Sequence, residues 1–152
     1  MSPIDNNGRI RTQALALIRR GDRILVERSR DEVKNESFCR LLGGTVEFGE
    51  TAADTVRREL LEELGAEADV GRLVATIENM FTFEGAPGHE ICLVYECSLP
   101  DERLYELDEW LAEETTPDGP LTHEVAWMPV DSFRSAGEVL YPEELLALNE
   151  LK

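Results

Sequence analysis

Residues 44 to 66 read G-T-V-E-F-G-E-T-A-A-D-T-V-R-R-E-L-L-E-E-L-G-A, and they are the most informative part of the chain. Glu59, Glu62 and Glu63 lie within five residues near the end of this stretch. At the helical step per residue, the three carboxylates fall within an arc of about 100°. The sequence therefore predicts a helix with one acidic face and one core face. The predicted core residues are Ala53, Val56, Leu60, Leu61 and Leu64.

The acidic face would destabilise an isolated helix. Glu59 and Glu63 are four residues apart, Glu59 and Glu62 are three apart, and each like-charge pair costs roughly 0.2–0.5 kcal/mol. A divalent cation between them would reverse this cost, and hard oxygen ligands suit Mg²⁺ or Mn²⁺. Because glutamates on a helix face are also common on solvated surfaces, the flanking residues have to distinguish a site from a surface.

The flanking residues favour a site. A double glycine, Gly43-Gly44, follows a short apolar stretch, so we expect a strand that enters a glycine loop leading into the helix. Thr51 suits the N-cap position, with Asp54 three residues later as an approximate capping box. Gly65 suits the left-handed conformation that ends a helix. Glycines also allow backbone carbonyls to approach the same cation as the carboxylates.

Together these residues resemble the Nudix box, whose pattern is G-x5-E-x7-R-E-U-x-E-E-x-G-U, with U an aliphatic residue. Every fixed place is filled at the right spacing, and Ala66 is the one soft match. The matching residues are Gly44, Glu50, Arg58, Glu59, Leu60, Glu62, Glu63 and Gly65. So many fixed positions in one short stretch rarely arise by chance. The resemblance covers about residues 9 to 148, and residues 38–44 resemble its MutT-like branch.

The resemblance implies an α/β fold, the Nudix α/β/α sandwich, in which a mixed β-sheet lies between helices. The residue pattern predicts strands, turns and helices that agree with it. Strands are expected at 11–18, 24–28, 37–42, 70–83, 90–98 and 125–129, and helices at 51–64, 131–135 and 142–151. Residues 85–88 are expected to form a turn, and 100–121 a loop with one helical turn. We expect a flexible N-terminus over residues 1–8 and a single domain over residues 9–152.

Composition indicates a compact cytoplasmic protein. The chain has 152 residues, 42% of them hydrophobic, which is enough for one domain with a substantial core. No apolar run approaches the roughly 18 residues needed to cross a membrane, and the N-terminus lacks the features of a signal peptide. Three cysteines without CxxC spacing argue against disulfides or a zinc site. We interpret them as small buried side chains in a reducing compartment.

The net charge of −17 limits the partners that the protein can bind. Such a field repels polyanions, so long nucleic acids are not expected as ligands. It does not exclude small nucleotides, because a metal cluster and a few arginines can reverse the potential locally. We interpret the other acidic stretches as solvated surface.

The resemblance implies a Mg²⁺-dependent hydrolase, with Mn²⁺ as a second candidate ion, that cleaves the diphosphate bond of a nucleoside diphosphate linked to another moiety. Glu59, Glu62 and Glu63 become the candidates for metal ligands, and the carbonyl of Gly44 a further ligand. Arg58 would hold the carboxylates by charge-assisted hydrogen bonds. The catalytic base is either Glu59 or Glu62, and the sequence leaves this choice open.

Four charged residues have two interpretations each. Glu50 either contacts the metal through water or stabilises the positive end of the helix dipole. Glu124 is either an extra carboxylate that acts as ligand or base, or an exposed acid at a strand edge. Arg28 and Arg40 either bind phosphate from the strand ends or pair with surface acids.

Aromatic and histidine residues outside the box are also candidates. Phe81 and Phe83 alternate on a predicted strand, where they either stack on a base or pack in the core. His89 and His123 are expected beside loops, as surface or packing residues and not as catalysts.

The substrate stays open at this level. Phe81-Thr82-Phe83 stand where relatives specific for ADP-ribose or dinucleoside polyphosphates carry a proline or a tyrosine, so nucleoside triphosphates, nucleoside diphosphates and nucleotide sugars are all candidates. Two alternatives belong to other classes: a nucleotide-sensing module without catalysis, and a pyrophosphatase for a non-nucleotide diphosphate. Dimers are common among similar proteins, so a homodimer is left open.

Overall fold

The computed structural model describes residues 8–152, and within them nine strands form one connected sheet. The strands are β1 (Arg11–Arg20), β2 (Arg23–Asp31), β3 (Glu36–Arg40), β4 (Leu42–Thr45), β5 (Asp69–Phe83), β6 (Ala86–Ser98), β7 (Glu109–Thr116), β8 (Gly119–Pro129) and β9 (Leu140–Tyr141). The helices are α1 (Ala52–Leu64) and α2 (Val130–Ser135), with 3-10 helices at Glu102–Tyr105, Glu143–Ala147 and Asn149–Leu151. The flexible N-terminus predicted for residues 1–8 falls on residues 1–7, outside the described part, and stays a prediction.

The hairpin of β1 and β2 joins two halves of the sheet. These strands pair next to their turn, where Arg19 lies opposite Ile24 and Arg20 opposite Arg23. Further along, β1 pairs with β4 and β6, whereas β2 pairs with β3 and β8. The pairs β1–β6 and β3–β9 are parallel, so the sheet is mixed. The two halves separate at the end of the hairpin away from its turn. The double glycine lies there, in β4.

Helices cover both faces of this sheet. On one face α1 packs through Val56 and Leu60 into a cluster that includes Trp127. On the other face, α2 and the C-terminal 3-10 helices supply Phe133 and Leu145 to a second cluster. The alternation of side chains along β1, β2 and β8 feeds both clusters from the same strands. The structure confirms the predicted α/β/α sandwich with a mixed sheet between helices.

Helix α1 begins and ends where its capping residues predict. The Asp54 N–H donates to Thr51 Oγ1 at 3.1 Å, and Gly65 has a φ of 66° with its N–H bonded to the Leu61 carbonyl. The predicted core face is wrong at Leu61, which is 56% exposed, whereas Glu59 and Glu63 are buried. The buried stripe therefore contains carboxylates among its apolar residues, because this face points at the gap between the two halves of the sheet.

The loop predicted over residues 100–121 is wrong in its second half. Strands β7 and β8 form a hairpin there, with Thr116 opposite Gly119. The inward-facing and outward-facing residues of β7 do not follow the apolar-in, polar-out pattern of a half-buried strand. Leu111 is exposed, and the side chain of Glu114 is largely buried. The predicted strand at 125–129 is correspondingly too short, because β8 begins at Gly119.

Two shorter predictions also need correction. The turn predicted at 85–88 lies at Glu84-Gly85, because Phe83 and Ala86 already pair in the hairpin of β5 and β6. The predicted C-terminal helix is two 3-10 helices, which insert Leu145 and Leu151 into the core. Arg134 donates to the carbonyls of Leu146 and Leu151 at 2.8 and 3.0 Å, and these bonds satisfy backbone groups that a continuous helix would pair internally.

The cysteines occupy the environment that the sequence predicts. Cys39, Cys92 and Cys97 are free thiols, and all three are buried. Burial raises the pKa of the Cys39 thiol to about 11, and those of Cys92 and Cys97 to about 12, so the thiols are unreactive at neutral pH. Among residues 8–152, no helix has both the length and the apolar character that a membrane crossing requires.

Leu60 and Leu61 provide a matched test of the observed face of α1. Leu60 is fully buried and Leu61 is 56% exposed. We expect Leu60→Ala to lower the free energy of unfolding by roughly 2–5 kcal/mol, the range for truncation in a core. Leu61→Ala should change it by less than about 0.5 kcal/mol. Urea denaturation of both variants measures the difference, and equal losses would contradict the observed orientation of the helix.

Candidate functional site

The site begins where β4 passes beneath α1. Gly44 pairs with Ala14 of β1, and a Cβ atom added to Gly44 would lie 2.2 Å from the carboxylate carbon of Glu59. The carboxylate of Glu59 therefore rests directly on the glycine backbone, in space that any side chain at position 44 would fill. Gly43 is also constrained, because it has a φ of 150° and an added Cβ would lie 2.0 Å from the carbonyl oxygen of Ala14. The double glycine thus serves two separate close contacts.

Glu50 forms a two-point ion pair with Arg58. The Arg58 Nε donates to Glu50 Oε2 at 2.8 Å, and its Nη2 donates to Oε1 at 3.0 Å. The Thr55 hydroxyl donates to the same carboxylate at 2.6 Å. The hydrogen bonds from Arg58, followed by that from Thr55, hold the pKa of Glu50 at about 2. Glu50 therefore fixes the arginine and the start of the helix, and its contact with a metal through water stays a prediction.

Arg58 connects this ion pair to the other box carboxylates. Its Nη1 donates to Glu59 Oε1 at 3.0 Å and makes longer contacts of 3.4 Å with both oxygens of Glu62. Its Nη2 also donates to the Thr45 carbonyl at 3.2 Å. The guanidinium therefore links the loop after β4 to the acidic face of α1, and it limits the orientations that Glu59 can adopt.

The three helix carboxylates have different surroundings. The side chain of Glu62 is 42% exposed, whereas Glu59 and Glu63 are buried. Burial raises the pKa of the Glu59 carboxyl. Burial, followed by the charge of Glu27, raises the pKa of Glu63 well above its usual value. Apart from the adjacent carboxyl of Glu59, neither carboxylate oxygen of Glu63 has a hydrogen-bond partner.

This donor set fits a divalent cation. An unpartnered buried carboxylate is costly, and a cation or a proton is the group that removes the cost. The oxygens available are carboxylates of Glu59, Glu62 and Glu63, which are hard ligands of the kind that Mg²⁺ and Mn²⁺ prefer. The carbonyl of Gly44 belongs to the same region, because its residue contacts Glu59. The metal-ligand roles of these residues stay predictions.

A second group of charged residues lies behind Glu63, and the sequence does not indicate that these residues come together. His123 is buried, with its Nδ1 2.7 Å from Glu27 Oε1 and its Nε2 2.9 Å from Glu114 Oε1. Arg40 Nη2 donates to Glu27 Oε2 at 3.1 Å. Burial opposes ionisation of Glu27, but the hydrogen bond with His123 and the charge of Arg40 outweigh it and hold the pKa of Glu27 at about 2. The hydrogen bond to Glu27 raises the pKa of His123.

The predicted surroundings of the histidines are wrong in one respect. Both were expected beside loops, but His89 lies in β6 and His123 in β8. His89 contacts Glu78 at 3.3 Å across the hairpin of β5 and β6. The sequence of β8 does not predict that His123 is buried, because its neighbours Thr122 and Glu124 are both polar and exposed.

Two of the predicted substrate residues are not brought to the box carboxylates. Glu124 is exposed and lies opposite Arg28 in the register of β8 and β2. It follows His123 on the strand, so its side chain points to the other face of the sheet. Arg28 Nη1 donates to Glu109 at 2.7 Å, on that same face. Their functional roles stay predictions.

A cavity of about 340 Å³ lies beside the site. It shares Gly43, Glu27 and Arg40 with the surroundings of the box, and Phe81 is among its wall residues. Three of its other wall residues are aromatic, and one of them contacts the other two. Phe38 packs edge-on against Phe83 with ring centroids 6.0 Å apart, and its ring is tilted against that of Tyr141 with centroids 5.4 Å apart. The Tyr141 hydroxyl donates to Glu36 at 2.8 Å. The volume and the aromatic walls suit a planar organic group.

Comparison with known proteins agrees with this geometry. A family model described as NUDIX domain matches residues 9–147. A MutT NUDIX hydrolase from Burkholderia pseudomallei has a similar structure, with a TM-score of 0.58 and 26% identity over 81% of this chain and 85% of that one.

Two further structures have the same fold at lower identity. The ORF135 protein of E. coli is 22% identical, with a TM-score of 0.56, over 94% of this chain and 88% of that one. An ADP-ribose pyrophosphatase from Streptococcus suis is 18% identical, with a TM-score of 0.54, over 86% of this chain and 79% of that one.

The two glycines should respond differently to alanine. In Gly43→Ala the new Cβ meets backbone at 2.0 Å with a positive φ, so we expect a loss of roughly 1–3 kcal/mol in the free energy of unfolding. In Gly44→Ala the Cβ meets the end of the flexible Glu59 side chain, which can move away, so the loss should be smaller. Urea denaturation and crystal structures of both variants measure this. Gly44→Ala with Glu59 unmoved and an equal loss would contradict the contact.

Proposed function

This chain belongs to the NUDIX family, and we propose that it hydrolyses the diphosphate bond of a nucleoside diphosphate linked to another moiety, using Mg²⁺ or, in its place, Mn²⁺. It is a Nudix pyrophosphohydrolase, and the nucleotide substrate and the metal ion are the proposed parts. The observation that carries the proposal is the buried carboxylate of Glu63, whose two oxygens have no hydrogen-bond partner other than the carboxyl of Glu59.

A divalent cation is the component that this arrangement fits. Glu59, Glu62 and Glu63 would hold it, with the carbonyl of Gly44 as a further ligand. Bound there, Mg²⁺ would neutralise charge on the diphosphate and favour attack of water on phosphorus. The same ion supports nucleotide binding by a chain with a net charge of −17, since it offsets the repulsion between the protein and the substrate.

The protein's own contribution is orientation and proton transfer. Arg58 is held by Glu50 at two points, so its contacts with Glu59 and Glu62 are fixed before substrate binds. Preorganisation of this kind avoids a cost of reorganisation during the reaction. The proton of the attacking water passes to Glu59 or Glu62. Glu59 is the better oriented of the two, and Glu62 is the more open to solvent.

The aromatic cavity supports a substrate with a planar group. Phe38, Phe83 and Tyr141 form its walls, and Arg40 lies where it meets the site. A nucleobase stacks favourably on such rings, and Phe81 is a further wall residue that can contact it. We propose that the nucleoside occupies this cavity while its diphosphate reaches the box carboxylates. Nucleoside triphosphates, nucleoside diphosphates and nucleotide sugars all have this arrangement of groups.

We further propose that the protein acts in the cytoplasm on small nucleotides and not on long nucleic acids. The three buried free cysteines suit a reducing compartment. The acidic charge disfavours capture of a polyanion. A homodimer remains an open proposal, which sedimentation of the purified chain would decide.

Substitution of Glu62 tests the catalytic proposal. With Mg²⁺ and a panel of nucleoside triphosphates, diphosphates and nucleotide sugars, we expect release of phosphate or pyrophosphate from at least one substrate. Glu62→Gln should lower kcat by roughly 10²–10⁴-fold, because it removes a metal ligand or the base. Glu113→Gln removes the same charge from an exposed position on β7 and should retain activity.

The outcome also separates this proposal from its alternatives. Binding of a nucleotide without turnover would favour a sensing module. Absence of both binding and turnover across the panel would favour a non-nucleotide diphosphate. Turnover that persists in EDTA would contradict the proposed use of a metal, and undiminished turnover in Glu62→Gln would contradict the proposed role of Glu62.

Phe83 provides a test of the cavity. Because stacking of an aromatic side chain on a base is worth about 1–3 kcal/mol, Phe83→Leu should raise KM about tenfold while keeping an apolar side chain of similar size. Phe83→Tyr keeps the ring and should leave KM near its original value. Steady-state kinetics on the substrate identified from the panel measures both. Equal KM values for Phe83→Leu and the wild type would exclude stacking on this residue.

A further inference from the structure

Glu27 lies beside the buried end of Glu63 although it comes from a different part of the chain. Glu27 is in β2 and Glu63 in α1, and both are buried. Ligand atoms of Glu27, Glu63 and His123 all lie within 4.8 Å of one another. The gap between the two halves of the sheet therefore brings a third buried carboxylate, in addition to Glu59 and Glu63, to the helix that carries the box.

His123 cannot serve as a metal ligand in this arrangement. Both of its ring nitrogens face carboxylate oxygens, Glu27 Oε1 at 2.7 Å and Glu114 Oε1 at 2.9 Å. Carboxylates accept hydrogen bonds, so both nitrogens donate, and the ring has no lone pair left for a cation. The imidazole instead fixes the position of the Glu27 carboxylate, with Glu114 of β7 fixing the imidazole in turn.

The Glu27 carboxylate retains acceptor capacity. Its Oε1 faces His123, and its Oε2 accepts from Arg40 at 3.1 Å. A carboxylate offers about four lone-pair sites, so a lone pair on each oxygen is left by these two bonds. On the other side, Glu63 is 1% exposed, and neither of its oxygens has a hydrogen-bond partner other than the adjacent carboxyl of Glu59. The space between the two residues is bordered by the oxygens of Glu63 and by the lone pairs of Glu27 that His123 and Arg40 leave free.

We infer that Glu27 is a further carboxylate of the cation site, on the side of Glu63, and that His123 is the residue that positions it. This inference rests on the proposed dependence of the protein on a divalent cation. It extends the site from the helix to strands β2, β8 and β7, and it gives a reason for burying a histidine between two glutamates. A proton shared between Glu63 and a neighbouring carboxylate is the competing explanation, and it predicts no role for Glu27 in metal binding.

The test is metal binding by the full chain without any substrate. Isothermal titration with Mn²⁺, supported by the rise in melting temperature that Mn²⁺ produces, compares Glu27→Gln with the wild type. We expect affinity to fall roughly 10–100-fold, the range for loss of a group that supports a metal site. Glu113→Gln, which removes one charge from the exposed face of β7, should bind Mn²⁺ as the wild type does. An unchanged dissociation constant in Glu27→Gln would overturn the inference.

The role of His123 in positioning Glu27 is tested separately. In His123→Gln both N–H donors lie on one nitrogen, so the side chain cannot hold Glu27 and Glu114 from two separate atoms as the imidazole does, and Mn²⁺ affinity should fall although every carboxylate remains. A purely structural role would lower the melting temperature of the metal-free protein and leave the Mn²⁺ dissociation constant unchanged. That second pattern would overturn the part of the inference that concerns His123.

Two more variants keep the outcome decisive. If Glu27→Gln does not fold, Glu27→Asp keeps the charge but withdraws the carboxylate by one methylene, and it should also weaken Mn²⁺ binding. Wild-type affinity in Glu27→Asp would then overturn the inference. Glu63→Gln distinguishes failure of the inference about Glu27 from failure of the proposed function. If Glu63→Gln loses Mn²⁺ binding and the Glu27 variants keep it, the proposed function stands and Glu27 is not part of the cation site. Full Mn²⁺ binding in Glu63→Gln contradicts the cation site itself.

Discussion

Burial of two carboxylates on one helix constrains the rest of the site. Glu59 rests on the backbone of Gly44, and Glu63 points into the gap between the two halves of the sheet with no hydrogen-bond partner other than Glu59. Charged groups in such places require compensation from a cation, a proton or neighbouring charges. Around them the chain supplies Arg58, fixed by Glu50, on one side and the pair of Glu27 and His123 on the other.

The fold creates the space that this arrangement needs. Because β1 and β2 pair near their turn and then follow different partners, β4 can enter between them with its double glycine. The same separation exposes the inner side of β2, where Glu27 faces the helix, and opens the cavity lined by aromatic rings. The positions of the box carboxylates and of the proposed nucleoside pocket are therefore two consequences of one feature of the sheet.

The sequence predicts the local features well and the long-range ones poorly. The caps of α1 depend on Thr51 and Gly65 themselves, so a linear pattern reveals them. Burial of Glu63 depends on strands far away in sequence, and periodicity alone placed it on the acidic face of the helix, opposite the core. Strand β7 was missed for a related reason: Glu114 points inward to reach His123 while Leu111 points outward, so its hydropathy does not alternate. These two errors therefore lie where charged residues are buried.

The central claim is that the buried carboxylates of α1 form a cation site. The most direct measurement is an anomalous difference map from crystals of the protein grown with Mn²⁺. The account predicts a peak in contact with carboxylate oxygens of Glu59, Glu62 or Glu63, with the Glu63 side chain engaged. A map in which Mn²⁺ lies only at other acidic surfaces, and Glu63 stays as it is without metal, would contradict the account.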